Sequence, residues 1–358
     1  MSGRHSGPGT RRIDGKVPDF RIIRTNDPSR YRDQIMGFWQ AYLPGTPPER
    51  FEWMTSGNPA GPAIWFLAFE HGSDEIAGAA SLMPRRLYLA GRELHAGILG
   101  DFMVAIKHRV FGPNIQLLRS ALAAMGDLGF SFIYTLPNEA SFKVAEHVGM
   151  RSVAELRCFA KPIDMRFYLN NYLPSPLAAT IAPAANFSLR VVSRETFCPV
   201  RRAAKETDAI DDSFDRFWER MKAEMKGLVG DRSANYLRWR YLRNPLNRFR
   251  FLVCAGRSEG EIGGFAVFCV HEENRVDIYD IVAIEGECSD SLRMRLIEIG
   301  RKERRRVLFF IAPSGSPRLD DFRQFRFLDT KSVQYLYSYG GADLPLDRWD
   351  FSSGDRNI

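Results

Sequence analysis

A chain of 358 residues, 45% apolar and 26% charged, has the composition of a folded globular protein with an ample core, and its length suits roughly two domains of about 150 residues. The formal charge of +7 and pI near 9.2 suit an anionic partner, but no RNA- or DNA-binding signature accompanies them, so nucleic acid is not expected to bind. No apolar run approaches the roughly 20 residues of a membrane span, and the five cysteines lack paired metal-type spacing, which together predict a cytoplasmic protein with reduced thiols, no metal and no stable membrane insertion.

Residues 1–18 are polar, glycine-rich and basic, and read as a disordered tail. Phe20 to Thr25 alternates as a strand, and Tyr31 to Tyr42 has the apolar spacing of an amphipathic helix. Ala63 to Glu70 and Ile76 to Met83 predict a hairpin about His71-Gly72-Ser73-Asp74, and Arg86 to Leu89 with Glu93 to Ala96 a second pair about Gly91. Gly100 to Ile106 is a buried strand. Phe130 to Leu136 is another, followed by a helix over Ala140 to Val148 that stops at Gly149, and then a last strand over Ser152 to Lys161.

Between these lies the stretch with the clearest chemistry. Arg109-Val110-Phe111-Gly112-Pro113-Asn114 ends the strand, and Ile115, Leu118, Leu122 and Met125 then recur at helical spacing. Pro113 fits a first helical turn, where its missing N–H costs nothing. A glycine-containing turn feeding a helix presents unpaired backbone amides and a positive dipole end, so it suits a phosphate, and Arg109 adds a cation. An ordinary strand-to-helix turn would have the same look.

The chain also repeats itself. Trp53, Asn58, Pro59, Glu75, Ile76 and Gly78 recur at a constant offset of 186 as Trp239, Asn244, Pro245, Glu261, Ile262 and Gly264. Asp101-Phe102-Met103-Val104-Ala105-Ile106 is echoed by Asp280-Ile281-Val282-Ala283-Ile284, and Leu136-Pro137 by Ala312-Pro313. The repeat predicts a mixed α/β domain at 19–162, a linker at 163–186, a second domain at 187–345 and a C-terminal tail at 346–358. Where the first half has Arg109 to Asn114 the second has Glu285, Glu287 and Asp290, which would repel a phosphate; the second half reads as a degenerate copy.

The Arg-x-x-Gly-x-Asn turn after an apolar strand, with Asn138 placed eleven residues before Gly149-Met150, resembles the GNAT superfamily of acyl-CoA-dependent N-acyltransferases, here in tandem. The resemblance covers about 20–160 and, through the repeat, extends weakly over 187–340. It implies two GNAT-like α/β domains, each a mixed, mostly antiparallel sheet flanked by helices, with acetyl-CoA or another acyl-CoA as co-substrate. The strand carrying Met103 and Val104 would splay to bind the pantetheine arm, the amides of Val110, Phe111, Gly112 and Asn114 with Arg109 would hold the pyrophosphate, and Asn138 would lie near the thiol. Direct transfer to a primary amine needs a general acid and base. The family's usual tyrosine falls at Ala145, leaving Tyr134 as substitute acid, His95 as base, and Asp101 as a structural or amine-contacting carboxylate. Tyr134 could equally be a core residue and His95 merely exposed. His108 could touch a phosphate or lie in solvent. The acceptor implied is a small-molecule amine, an amino sugar or cell-envelope precursor by loose resemblance, with Arg85 and Arg86 hinting at an anionic one. Two alternatives are a binding or regulatory protein that keeps the fold without activity, and a Fem-type aminoacyl-tRNA-dependent transferase.

Overall fold

Ile76–Leu89 (β3) forms one uninterrupted strand, and Arg92–Val104 (β4) its antiparallel partner, turning through Ala90 and Gly91 at positive φ. Both expected hairpins are present, and they share this strand, since the stretches expected at 76–83 and 86–89 form one continuous element. Pro84 does not interrupt β3 because it falls beyond Leu82, where the pairing with Ile64–Glu70 (β2) ends, so its missing N–H leaves no ladder bond unmade on that edge. The computed structural model describes residues 20–109, 112–198, 202–284, 286–316 and 318–357; the expected tail at 1–18 lies outside them.

The other strands are Phe20–Thr25 (β1), Phe132–Thr135 (β5), Arg151–Pro162 (β6), Lys205–Thr207 (β7), Leu228–Gly230 (β8), Phe249–Ala255 (β9), Ile262–His271 (β10), Arg275–Ala283 (β11), Val307–Pro313 (β12) and Leu328–Gly340 (β13). Among the described residues they make one mixed sheet in the order β1-β2-β3-β4-β5-β13-β6-β12-β11-β10-β9-β7, with β8 beside β3. Among the described strands, β4–β5 and β11–β12 are the parallel pairs. The order is a palindrome about β13 and β6, so the two halves are related by an approximate twofold axis, and each gives its last long strand to the other: β6 lies against β12, and β13 against β5.

The repeat explains the axis. Trp53 and Trp239 stack at 4.7 Å, and the indole N–H of each donates to the other's carbonyl at 2.9 Å. Asn58 and Asn244 each accept from the amide two residues on, at 3.0 and 2.9 Å, forming matching turns beside the tryptophans. One apolar cluster spans both halves through Trp39, Trp53, Trp65, Trp218, Trp239 and Trp349, and a smaller one lies on the outer side of each half.

Helices cover the sheet at Arg32–Tyr42 (α1), Glu49–Thr55 (α2), Asn114–Ala123 (α3) and Phe142–His147 (α4) in the first half, and at Asp212–Glu224 and Gly286–Lys302 in the second. The segment expected as a linker holds helices at Met165–Leu169 and Ser175–Val191. The segment expected as a C-terminal tail is instead interior: Trp349, Phe351, Ser352 and Asp355 are buried. Cys254 and Cys288, far apart in sequence, bring their sulfurs to 2.8 Å as free thiols in the second half's core.

Candidate active site

Parallel pairing between β4 and β5 stops at Ile98 and Tyr134. Beyond it β4 follows β3 to Val104, while β5 turns at Pro137 toward α4, and a cavity of about 250 Å³ opens between them, bounded by Gly100, Phe102, Leu118, Pro137, Asn138 and Ala145. A bulge drives the divergence. The β3–β4 register shifts between Ala79 and Ser81, opposite Asp101, whose φ is +48°. The buried Asp101 carboxylate holds that conformation by accepting from Arg50 at 2.6 Å and Ser81 at 2.9 Å.

Strand β4 runs out through a short turn at Ile106–His108 into exposed Arg109, Gly112 and α3. A β-carbon on Gly112 would collide with the His108 carbonyl oxygen, so the turn closes only with glycine. The first amides of α3 lack intrahelical partners, and the Asn114 side chain takes up only that of Ile115, at 2.9 Å. Free amides at a helix start of this kind can hold an anion, here at the mouth of the splay. Gly112→Ala is expected to displace them and weaken acyl-CoA binding by up to about a hundredfold, the scale of a 1 Å misplacement, with melting little changed; calorimetry beside a melting curve checks this.

The remaining expected residues divide sharply. Asn138 lines the cavity, and its side-chain oxygen accepts from Ala140 and Ser141 amides at 3.1 and 3.0 Å and from the Ser141 hydroxyl at 2.9 Å, which leaves its NH₂ to donate outward. Met103 and Val104 end β4 half-buried, paired to Ala79 and Gly78. Val110 and Phe111 lie outside the described residues. Tyr134 is fully buried against Trp349, and its hydroxyl donates to the Asp355 carbonyl at 2.8 Å; burial also pushes that phenol well above its ordinary range, so it is no available acid. His95 is half-exposed beside Glu93 at 3.1 Å, upstream of the splay on β4 and about 17 Å of strand from Gly100, too far to act as base there. Asp101 is committed to Arg50 and Ser81 and supports the bulge. His108 does not lie in solvent: it is buried, its ring edge-on against Phe20 at 5.3 Å, with Glu70 at 3.5 Å.

Two residues at the cavity went unforeseen, Arg356 and Asn357. They arrive from the second half. Ser352 and Asp355 form a reciprocal capping box about a short helical turn at Ser353–Asp355, and the Ser-x-x-Asp spacing was the available signal for it. Asp355 accepts from Arg85 at 2.6 Å and Arg232 at 2.9 Å; burial would raise its pKa, but these two guanidiniums override it and hold the carboxyl well below the usual range. Arg85 is therefore spent internally, stacked 3.8 Å over Tyr236, and Arg86 pairs with Asp231 at 3.0 Å, so neither supplies the expected anion contact. Arg240 donates to the carbonyls of Gly354 and Arg356, and a β-carbon on Gly100 would strike the Asn357 side chain.

The same segment closes the second half. Pairing of β11 with β12 ends at Ile278 and Phe310, but here Asp280, counterpart of Asp101, accepts from Arg232 at 2.9 Å, from Ser352 at 2.6 Å and from the Tyr241 hydroxyl. Gly354 lies so close to Tyr241 and Asp280 that no β-carbon fits. The second opening is filled by the chain itself, while the first stays open.

Residues 23–149 match the sequence profile of the acetyltransferase (GNAT) domain. No curated protein matches the sequence. Three solved structures share the fold at low identity. A GCN5-related N-acetyltransferase from Kribbella flavida is 15% identical, with 90% of this chain and 71% of that one covered, at TM-score 0.59. A tandem GNAT protein from the clavulanic acid biosynthesis pathway is 12% identical over 90% and 98% of the two chains, at 0.53. N-myristoyltransferase from Saccharomyces cerevisiae, solved with bound myristoyl-CoA, is 11% identical over 93% and 87%, at 0.56. With a splayed parallel strand pair, a glycine turn at its mouth and a second, self-filled copy across a twofold axis, the chain has a tandem GNAT-like fold whose residues 23–149 match the GNAT domain.

Proposed function

We propose that this protein transfers an acyl group, acetyl in the first instance, from acyl-CoA to the primary amine of a small molecule, by direct attack within a ternary complex. The observation that carries this reading is the contrast between halves: one splay is open and leads to the Arg109–Asn114 turn, and the other is occupied by residues 352–355. In this reading the pantetheine arm lies along β4 beyond Ile98, where strand pairing to β5 has ended. The pyrophosphate rests on the amides of Gly112 and Asn114, and Arg109 adds charge. A backbone amide near Val104 polarises the thioester carbonyl, and the Asn138 NH₂ orients the arm. With Tyr134 and His95 elsewhere and Ala145 at the usual tyrosine position, rate rests on positioning and carbonyl polarisation, and water carries the protons. A cytoplasmic location goes with this use of acyl-CoA, and amino sugars of cell-envelope precursors are the first acceptors to try.

Calorimetric titration with acetyl-CoA and desulfo-CoA tests the reading. The wild type should bind both, and Arg109→Glu should weaken both by about tenfold or more by placing a carboxylate against the pyrophosphate. Absence of binding by the wild type overturns the enzyme reading. Binding that survives the substitution moves the pyrophosphate away from this turn.

A further inference from the structure

We infer that the acceptor is an amine that also bears an anionic group, and that Arg356 selects it. This rests on the acyltransferase reading and adds the class of its second substrate.

The cavity of the splay continues past Leu136, Pro137 and Asn138 into a second one of about 560 Å³, walled by Phe142 on one side and Val333 to Tyr337 of the exchanged strand β13 on the other. That volume suits a small-molecule substrate. Arg356 lines both cavities and sits where they meet.

Its guanidinium is unlike its interior neighbours. Arg50 serves Asp101, Arg85 serves Asp355, Arg232 serves Asp280 and Asp355, and Arg240 serves two backbone carbonyls. Among the described residues the Arg356 guanidinium has no carboxylate within 4.0 Å and no hydrogen-bond acceptor. The acidic groups that face it are committed or peripheral: Asp277 pairs with Arg275 at 2.8 Å and His271 at 3.2 Å, and Glu139 is exposed at the rim of the larger cavity. The backbone of Arg356 is nonetheless fixed, its carbonyl by Arg240 and its amide by the Ser353 carbonyl at 3.4 Å. A half-buried, always-charged fork held in place without a counter-ion is matched to a carboxylate or phosphate that arrives with a ligand.

The next residue supplies the second contact. The Asn357 side-chain oxygen is buried in the splay with no donor. A buried acceptor of this kind calls for an N–H. An amine placed there stands at the thioester end of the smaller cavity, with its anionic group reaching back to Arg356 in the larger one. The second half thereby completes the first half's site.

The test uses the full chain saturated with desulfo-CoA, titrated by calorimetry with O-phosphoethanolamine, β-alanine and neutral ethanolamine. At least one of the two anionic amines should bind about tenfold or more tightly than ethanolamine, the effect of one charge-assisted pair. Arg356→Gln should abolish that preference, Arg356→Lys should restore part of it, and Asn357→Ala should weaken all three amines alike. Because the guanidinium has no internal partner, Arg356→Gln should melt with the wild type. An anionic preference that persists in Arg356→Gln overturns the proposal, as does a wild type that binds the anionic amines no better than ethanolamine. Should desulfo-CoA itself fail to bind, the acyltransferase reading falls, and the same comparison on the free protein still decides whether Arg356 holds anions.

Discussion

Asp355→Asn is expected to destabilise the protein by about 3–5 kcal/mol, because it leaves two buried guanidiniums facing a neutral amide. Arg85 would keep only the Tyr236 ring and a weak contact to the Asp231 carbonyl at 3.4 Å, and Arg232 would keep Asp280. The pH dependence has a definite sign. The folded carboxyl titrates well below its unfolded value of about 3.9, so its contribution is fully present above that value and is lost as pH falls toward the folded pKa. The wild type should therefore lose melting temperature steeply below about pH 4, and the variant should start lower and fall less. Equal acid limbs in the two proteins would show that the Arg85–Asp355–Arg232 cluster does not carry this stability. The same substitution unclamps Arg356 and Asn357 and so should weaken acceptor binding more than acyl-CoA binding.

The second large effect is at the axis between halves. Trp239→Ala should cost about 3–5 kcal/mol, since it empties a buried indole site and removes the indole N–H that donates to the Trp53 carbonyl. Trp53→Ala should cost a similar amount. The double variant should cost less than the sum by about 0.5–3 kcal/mol, because each substitution already abolishes the shared ring stack, although each removes only its own indole's hydrogen bond. Strict additivity in urea unfolding would mean that the pair merely fills space.

Much of the first half was legible because its signals are local. Strand β1 and helix α1 follow from apolar spacing, and the turn at Gly112 follows from glycine and proline after an apolar run. The offset of 186 also marked Trp53 and Trp239 as equivalent positions, although stacking on each other is a property of the axis and not of either segment. The repeat of Asp101 as Asp280 points to a structural or amine-contacting carboxylate, and in the fold both accept from a buried arginine. What misled the choice of Tyr134 and His95 is that strand residues near a cleft in sequence can be buried behind it or sit at its far end; which one holds depends on where pairing with the neighbouring strand stops.

Composition, periodicity and repetition thus pointed to two α/β halves, one with the Arg109–Asn114 turn and one with acidic residues in its place. The tertiary structure alone decided that the halves exchange strands, that residues 352–355 fill the second opening, and that Arg356 and Asn357 enter the first. The physical reason is that burial of Asp355 is made tolerable by guanidiniums 123 and 270 residues away in sequence. No local pattern around Ser352–Asn357 carries that information, because the polar residues that would mark an exposed tail are the ones that a buried ionic clamp requires.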